Sequence, residues 1–213
     1  MKERGMIFNA DMVRAILDGR KTQTRRIIKL SHERGMVNPV VRGKNGEISS
    51  VTCRLAPTLS PHGGVGDRLW VRETFSCIGN EDGHPINANG DLCERENAQR
   101  IYKASSIQKL NNYGLWTSPD GFDFEGRWTP SIHMPRWASR ITLEITGVRV
   151  ERLNSISEED AQAEGISPAT YMITPPEAAY RVGFRHLWES IYGEESWQGN
   201  PWVWVIEFRR VEA

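Results

Sequence analysis

The sequence predicts an α+β fold, and two kinds of periodicity carry that expectation. Segments 68–75, 137–152 and 202–211 alternate apolar and polar residues at the two-residue period of a half-buried strand. Stretches after Asn9, after Ser157 and over 177–192 instead repeat apolar residues at helical spacing or carry helix end signals. The 213-residue chain has 27 basic and 27 acidic residues, zero formal charge and 38% hydrophobic residues, a composition that builds a core and argues against wholesale disorder. One domain over 1–213, with an insertion at about 76–130, is the expected organisation.

In chain order, Asn9 or Asp11 caps a first helix whose apolar positions are Met12, Val13, Ile16 and Leu17, and Gly19 takes its left-handed end. Arg20 to Ile28 reads as a helix-to-strand junction running into a strand. Residues 31–66 are rich in Gly, Pro and Asn and read as loops, with a hairpin turn at Asn45-Gly46. Gly66-Asp67 then turns the chain into a strand with Leu69, Val71, Glu73 and Phe75 on one face. From Ser76 to Pro130 Gly, Asn, Asp and Pro dominate, apart from a short strand at Arg100–Lys103, which marks the insertion. Ile141, Leu143 and Ile145 share one face of the next strand, and Gly147 suits a bulge. Ser157-Glu158-Glu159-Asp160 resembles a capping box for a two-turn helix that finishes at Glu164 before Gly165. A longer helix over 177–192 gathers Tyr180, Phe184, Leu187, Trp188 and Ile191 on one side, and the last strand alternates until Arg209-Arg210.

The longest apolar run, Trp202 to Ile206, has five residues, against the ~20 that a bilayer-spanning helix needs. The N-terminus lacks the apolar stretch of a secretory signal, and Cys53, Cys77 and Cys93 are an odd, widely spaced set suited to a reducing compartment, so a cytoplasmic protein without membrane association is expected. Zero net charge argues against indiscriminate adhesion to nucleic acid and leaves a local basic patch open. No Walker A sequence, dinucleotide fingerprint or nucleophile elbow is present, and Cys77, His84 and Cys93 have no metal-ligand spacing, so neither a cofactor nor a metal is expected.

The densest chemistry lies at Arg20 to Arg26, with four cations and two hydroxyls in seven residues. Two readings stand: Arg20, Arg25 and Arg26 seat a phosphate, or the run is a solvated edge strand made unattractive to other strands. Lys21 becomes a base for Thr24 where burial or neighbouring cations lower its pKa, provided that Lys21 lies in the junction and not in the strand ladder. The carboxylate for such a set comes from Glu73, Glu144 or Glu164. Glu164 is notable because an acid at a helix C-terminus opposes the macrodipole. Trp70, Trp137, Trp188, Trp202 and Trp204 fit core packing, whereas Trp116 and Trp128, in the insertion, either stack on bases or fold over their own backbone.

Gly19-Arg20-Lys21-Thr22 with Thr24 and Arg26, Gly66-Asp67 opening a strand, Ser157 to Glu164, and the closing strand Val203 to Phe208 together resemble an ASCH domain. The longer strings Thr22 to Arg26, Leu69 to Glu73 and Met134 to Arg140 are similar to a phage and prophage subgroup, over nearly the whole chain. This resemblance implies a PUA-like β-barrel with short flanking helices, and a cleft beside it that binds RNA, single-stranded nucleic acid or a modified nucleobase. One bacterial branch of the family is an amidohydrolase acting on N4-acetylcytidine, and its Lys, Thr and Glu fall on Lys21, Thr24 and Glu164. Arg20, Arg25, Arg26, Glu73 and Trp70 are then the candidate substrate or nucleic-acid contacts. The expected function is nucleobase or RNA recognition, with amide hydrolysis close behind and ribonuclease action, for which no suited His pair exists, third.

Overall fold

The computed structural model describes residues 1–28, 39–42, 48–52, 55–169 and 175–211. Its elements are β1 (Glu3–Ile7), α1 (Ala10–Leu17), β2 (Gln23–Ile27), β3 (Val40–Arg42), β4 (Ile48–Ser50), α2 (Ala56–Leu59), β5 (Arg68–Arg72), β6 (Phe75–Cys77) and β7 (Arg100–Tyr102). They continue with β8 (Ile107–Gln108), β9 (Leu115–Thr117), β10 (Asp123–Glu125), β11 (Thr142–Arg152), α3 (Glu158–Ala163), α4 (Ala179–Tyr192), α5 (Glu194–Gln198) and β12 (Trp202–Val211). The fold is α+β, and among the described residues no helix is long and apolar enough to cross a membrane.

Five strands form one sheet in the order β1-β5-β11-β12-β2, three form a second in the order β10-β9-β8, and β3–β4 and β6–β7 are two-stranded. The main sheet is open. Its edge strands β1 and β2 are not paired with each other among the described residues, which corrects the closed barrel expected from the resemblance. Closure requires the edges to share hydrogen bonds. Here the chain leading into β2 is instead taken by the end of α3: the Thr22 amide donates to the Ala163 carbonyl at 2.8 Å, and Lys21 forms an isolated bridge with Glu164.

The chain divides into two compact units, one made of Met1–Arg4, Ala15–Leu69 and Leu143–Ala213, the other of Gly5–Arg14 and Trp70–Thr142. The second contains the entire 76–130 stretch.

In the first unit β12 pairs antiparallel with β2, Ile206 opposite Thr24 and Val205 opposite Arg25. Val203 to Ile206 are all buried, so β12 does not show the alternation its sequence suggests. Val203 and Val205 pack with Leu153, Ile156, Ala161, Phe184 and Trp188, and Trp204 and Ile206 are buried as well, which is the signature of a strand covered on both faces. In α4, preceded by a 3-10 turn over Pro176–Ala178, Phe184 and Trp188 are buried, but Ile191 is 46% exposed and lies outside the core face expected for it. In β11 the buried positions are Leu143 and Ile145, then Val148 and Val150. That one-residue slip in phase falls at Thr146-Gly147, as a bulge there requires. β3 and β4 pair antiparallel, with Val41 opposite Ser49, while the Asn45-Gly46 turn and Cys53 lie outside the described residues.

Ser157 caps α3 by accepting a hydrogen bond from the Asp160 amide at 3.1 Å, and Gly165 ends it with φ of 79°. A side chain on Gly165 would bring its Cβ to 2.7 Å from the Cβ atoms of both Ala15 and Lys21.

In the second unit Asn9 caps α1 through its Oδ1, which accepts from the Met12 amide at 2.8 Å. Burial alternates from Leu69 through Val71 and Glu73 to Phe75 as expected, yet the β5 ladder stops at Arg72. The Glu73 amide turns to Met134 Sδ at 3.2 Å, and Phe75 pairs afresh with Tyr102 in β7. Phe75, Met134 and Ala138 form a small core, with Trp137 edge-on to Phe75. Trp116 and Trp128 fold onto each other at 5.5 Å between ring centroids, with Phe124 at 4.9 Å from Trp128.

Gly165→Ala is expected to cost about 2–4 kcal/mol, from a left-handed backbone with a Cβ plus overpacking against Ala15 and Lys21. Chemical denaturation measures the loss, and a variant as stable as the parent refutes this account of the close approach.

Candidate functional site

The Arg20 to Arg26 run does not lie open to solvent. Lys21, Gln23, Thr24 and Arg25 are all buried, while Arg20 is exposed and Arg26 half-buried. Arg20 donates to the Gly165 carbonyl at 3.0 Å and to Asp18 at 3.0 Å, which ties it to the end of α3. Gln23 and Arg25 alternate with Thr24 and Arg26 along β2, so the two pairs point to opposite faces.

The face bearing Gln23 and Arg25 meets α3. Gln23 Nε2 donates to the Asp160 carbonyl at 2.8 Å. The Arg25 guanidinium, with a fully buried side chain, donates to Glu164 Oε1 at 3.1 Å, Asp160 Oδ2 at 2.9 Å and Glu151 Oε2 at 3.1 Å. It also lies 5.8 Å from the centroid of the Phe184 ring. Arg149 extends the network to Asp160 at 2.9 and 3.0 Å, to Glu151 and to Glu207. Three cations, Lys21, Arg25 and Arg149, thus meet four carboxylates, those of Glu151, Asp160, Glu164 and Glu207. Burial opposes the ionised Asp160 carboxylate, but the charges of Arg25 and Arg149 and their hydrogen bonds hold its pKa below the usual value.

Lys21 lies two residues before β2 begins, in the junction that cooperation with Thr24 requires. Its Nζ donates to Glu164 Oε2 at 2.7 Å and to the Glu164 carbonyl at 2.9 Å. An ammonium has three N–H groups, and the third has no partner among the described residues. Burial lowers the Lys21 pKa from 10.5, outweighing the opposing charge and hydrogen bond of Glu164, and the positive charges of Arg26 and Arg25 lower it further. The larger of those two contributions comes from Arg26, which shares a face of β2 with Thr24.

The structure therefore brings together Lys21, Glu164 and Arg25, and both hydrogen bonds of the Lys21 ammonium end on Glu164 rather than on Thr24. Glu73 and Trp70 belong to the other compact unit. There Glu73 is buried and receives a fork from Arg140, Nε to Oε1 at 2.9 Å and Nη2 to Oε2 at 3.0 Å, while the Arg72 guanidinium lies 5.5 Å from the Trp70 ring centroid.

Sequence reasoning missed Arg149, Glu151 and Asp160 as members of the network, reading Asp160 only as part of a helix cap. The signal was the Arg149-x-Glu151 pair, opposite charges two apart on one strand face. His62 was missed too. Its pKa is lowered from 6.5 to about 4, first by burial and then by the charges of Arg26 and Arg4. Compared with known proteins, the chain matches no family model, no curated protein and no solved structure.

Removing Arg25 leaves Glu164 and Asp160 undercompensated, so Arg25→Met is expected to destabilise by about 3–5 kcal/mol, readable by urea unfolding. A loss no larger than that of a surface Arg substitution contradicts this. His62 is neutral when folded, and the unfolded chain binds its proton more tightly. Stability is therefore expected to fall as pH drops from 6.5 towards about 4 and then to level off as far as His62 is concerned. The contribution is on the order of 2–3 kcal/mol and disappears in His62→Gln. Parallel stability–pH curves for parent and variant would rule out a buried neutral His62.

Proposed function

We propose that this chain is an ASCH-type protein of PUA-like descent that recognises RNA or a modified nucleobase beside β2, and that its chemistry is hydrolysis of an N-acylated nucleoside such as N4-acetylcytidine. One observation carries the hydrolytic reading. Lys21 is buried, has a lowered pKa and is fixed by Glu164 at 2.7 Å, with one N–H that has no partner among the described residues. A lysine held this way is a candidate general base, because burial favours the neutral amine that accepts a proton.

In this mechanism the Thr24 hydroxyl attacks the acyl carbonyl, and its proton passes to the neutral Nζ of Lys21. Glu164 orients that amine and stabilises the ammonium once formed. The tetrahedral intermediate collapses with cleavage of the carbon–nitrogen bond, and Lys21 returns the proton to the departing nucleoside amine. Water, activated by the same lysine, then hydrolyses the acyl-threonine. Arg26, on the face of β2 that carries Thr24, supplies positive charge for the substrate or the oxyanion. Arg25 works through Glu164 by holding its second carboxylate oxygen at 3.1 Å.

Release of cytidine from N4-acetylcytidine is expected, with kcat/KM falling by about 100-fold or more in both Lys21→Met and Thr24→Val, each checked for folding by thermal melting. Because the base must be unprotonated, kcat/KM should rise with pH and level off at an inflection below 10.5. Turnover that survives both substitutions, or an inflection at 10.5 or above, eliminates the hydrolytic assignment. Recognition without chemistry predicts instead salt-dependent binding of single-stranded RNA with no product released.

A further inference from the structure

The second compact unit contains a cavity of about 380 Å³ that the chemistry above does not use. Its volume falls within the ~300–1,000 Å³ of small-molecule sites. Phe8 and Ala104 supply apolar wall, and Asn9, Ala10, Glu73 and Lys103 line it as well. The polar groups are of two opposite kinds.

Asn9 and Ala10 begin α1. Asn9 uses its Oδ1 on the Met12 amide at 2.8 Å and its carbonyl on the Val13 amide at 2.9 Å, while the amides of Ala10 and Asp11 have no partner among the described residues. Together with Lys103, an exposed residue whose ammonium lies 5.2 Å from the Trp116 ring centroid, they offer donors and positive potential to an anion. The one acid at this end, Asp11, is already paired with Arg14 at 2.5 Å.

Glu73 offers the reverse. It is 2% exposed, and each of its oxygens accepts one hydrogen bond from Arg140, which leaves each oxygen acceptor capacity for a further donor. Arg140 is itself fixed, with its guanidinium 4.0 Å from the Tyr102 ring centroid and Nη2 bonded to Ser105 at 2.7 Å. A carboxylate held so firmly is a preorganised acceptor.

We infer that this cavity binds a small ligand carrying both an anionic group, phosphate or carboxylate, and an N–H donor. The anion is received by Lys103 and the start of α1, and the N–H by Glu73. A lone anion leaves the Glu73 side of the cavity unmatched, and a lone amine leaves the opposite side so.

Calorimetric titration with phosphoethanolamine and with glutamine, neither of which is a ligand of the proposed nucleobase site, tests this and separates the phosphate source from the carboxylate source. Inorganic phosphate and ethanolamine serve as single-group controls. At least one of the first two probes should bind about tenfold or more tightly than either control. Ala10→Glu places an acid in the first turn of α1, where it favours the helix but repels an anion. It should preserve the melting temperature and weaken binding by about tenfold or more, with Lys103→Gln weakening it about fivefold. Lys21→Met should leave the affinity unchanged, so failure of the hydrolytic reading and failure of this one are distinguishable. No saturable binding of either probe at low millimolar concentration, binding no tighter than the controls, or binding indifferent to Ala10→Glu overturns the inference.

Discussion

The first compact unit depends on a buried ionic contact between the end of α3 and the start of β2. Stripping water from Lys21, Arg25 and Glu164 costs several kcal/mol per ion, and attraction between opposite charges offsets this only where the remaining donors and acceptors are also paired. That condition is largely met. Glu164 receives Lys21 on one oxygen and Arg25 on the other, and Arg25 continues to Asp160 and Glu151. The contact also solves the end of the helix. α3 finishes with carbonyls that lack an intrahelical donor, and those of Ala163 and Glu164 are taken by the Thr22 amide and the Lys21 ammonium, while the Asp160 carbonyl, which already accepts from the Glu164 amide, takes the Gln23 side chain as a second donor. An acid at a helix C-terminus is unfavourable in isolation. Here two cations occupy the same place and reverse the local balance.

The same contact links packing to chemistry. A lysine that only neutralised Glu164 at the surface would keep its ordinary basicity and a hydrated shell. Lys21 is desolvated, and it lies near enough to Arg26 and Arg25 for their charges to add to the effect of burial. Structural ion pairs and catalytic lysines share this ground, because both need a carboxylate and little water. The two differ in what the third N–H of the ammonium meets, and among the described residues it meets nothing.

The second unit repeats the theme with a different acid. Glu73 occupies a position that alternation marks as buried, and the strand ladder breaks there so that its amide bonds Met134 Sδ and its carboxylate bonds Arg140. Trp116 and Trp128, of which the sequence left two readings open, close an aromatic cluster with Phe124. Their contact energy goes first into local structure that a Gly- and Asn-rich stretch would otherwise lack.

The longer elements were legible in the sequence, whereas β1, α2, α5 and the short strands β8, β9 and β10 were not read from it. Asn9 and Ser157 as caps, Gly19 and Gly165 in left-handed conformations and the phase slip at Gly147 are local properties, set by a few neighbouring residues and by steric rules that act at that range. The acid at a helix end marked Glu164 as one of three candidate carboxylates for Lys21, and the choice among them came only through a resemblance, since 143 positions separate the two and no periodicity spans them. Tertiary structure alone decided that β12 is covered on both faces, that Ile191 turns to water, that the main sheet stays open and that Arg25 is interior. Each of these depends on which surface another element covers, and a residue's charge or hydropathy does not specify that. An arginine in a basic run reads as solvated until a helix end supplies the carboxylates that let it be buried.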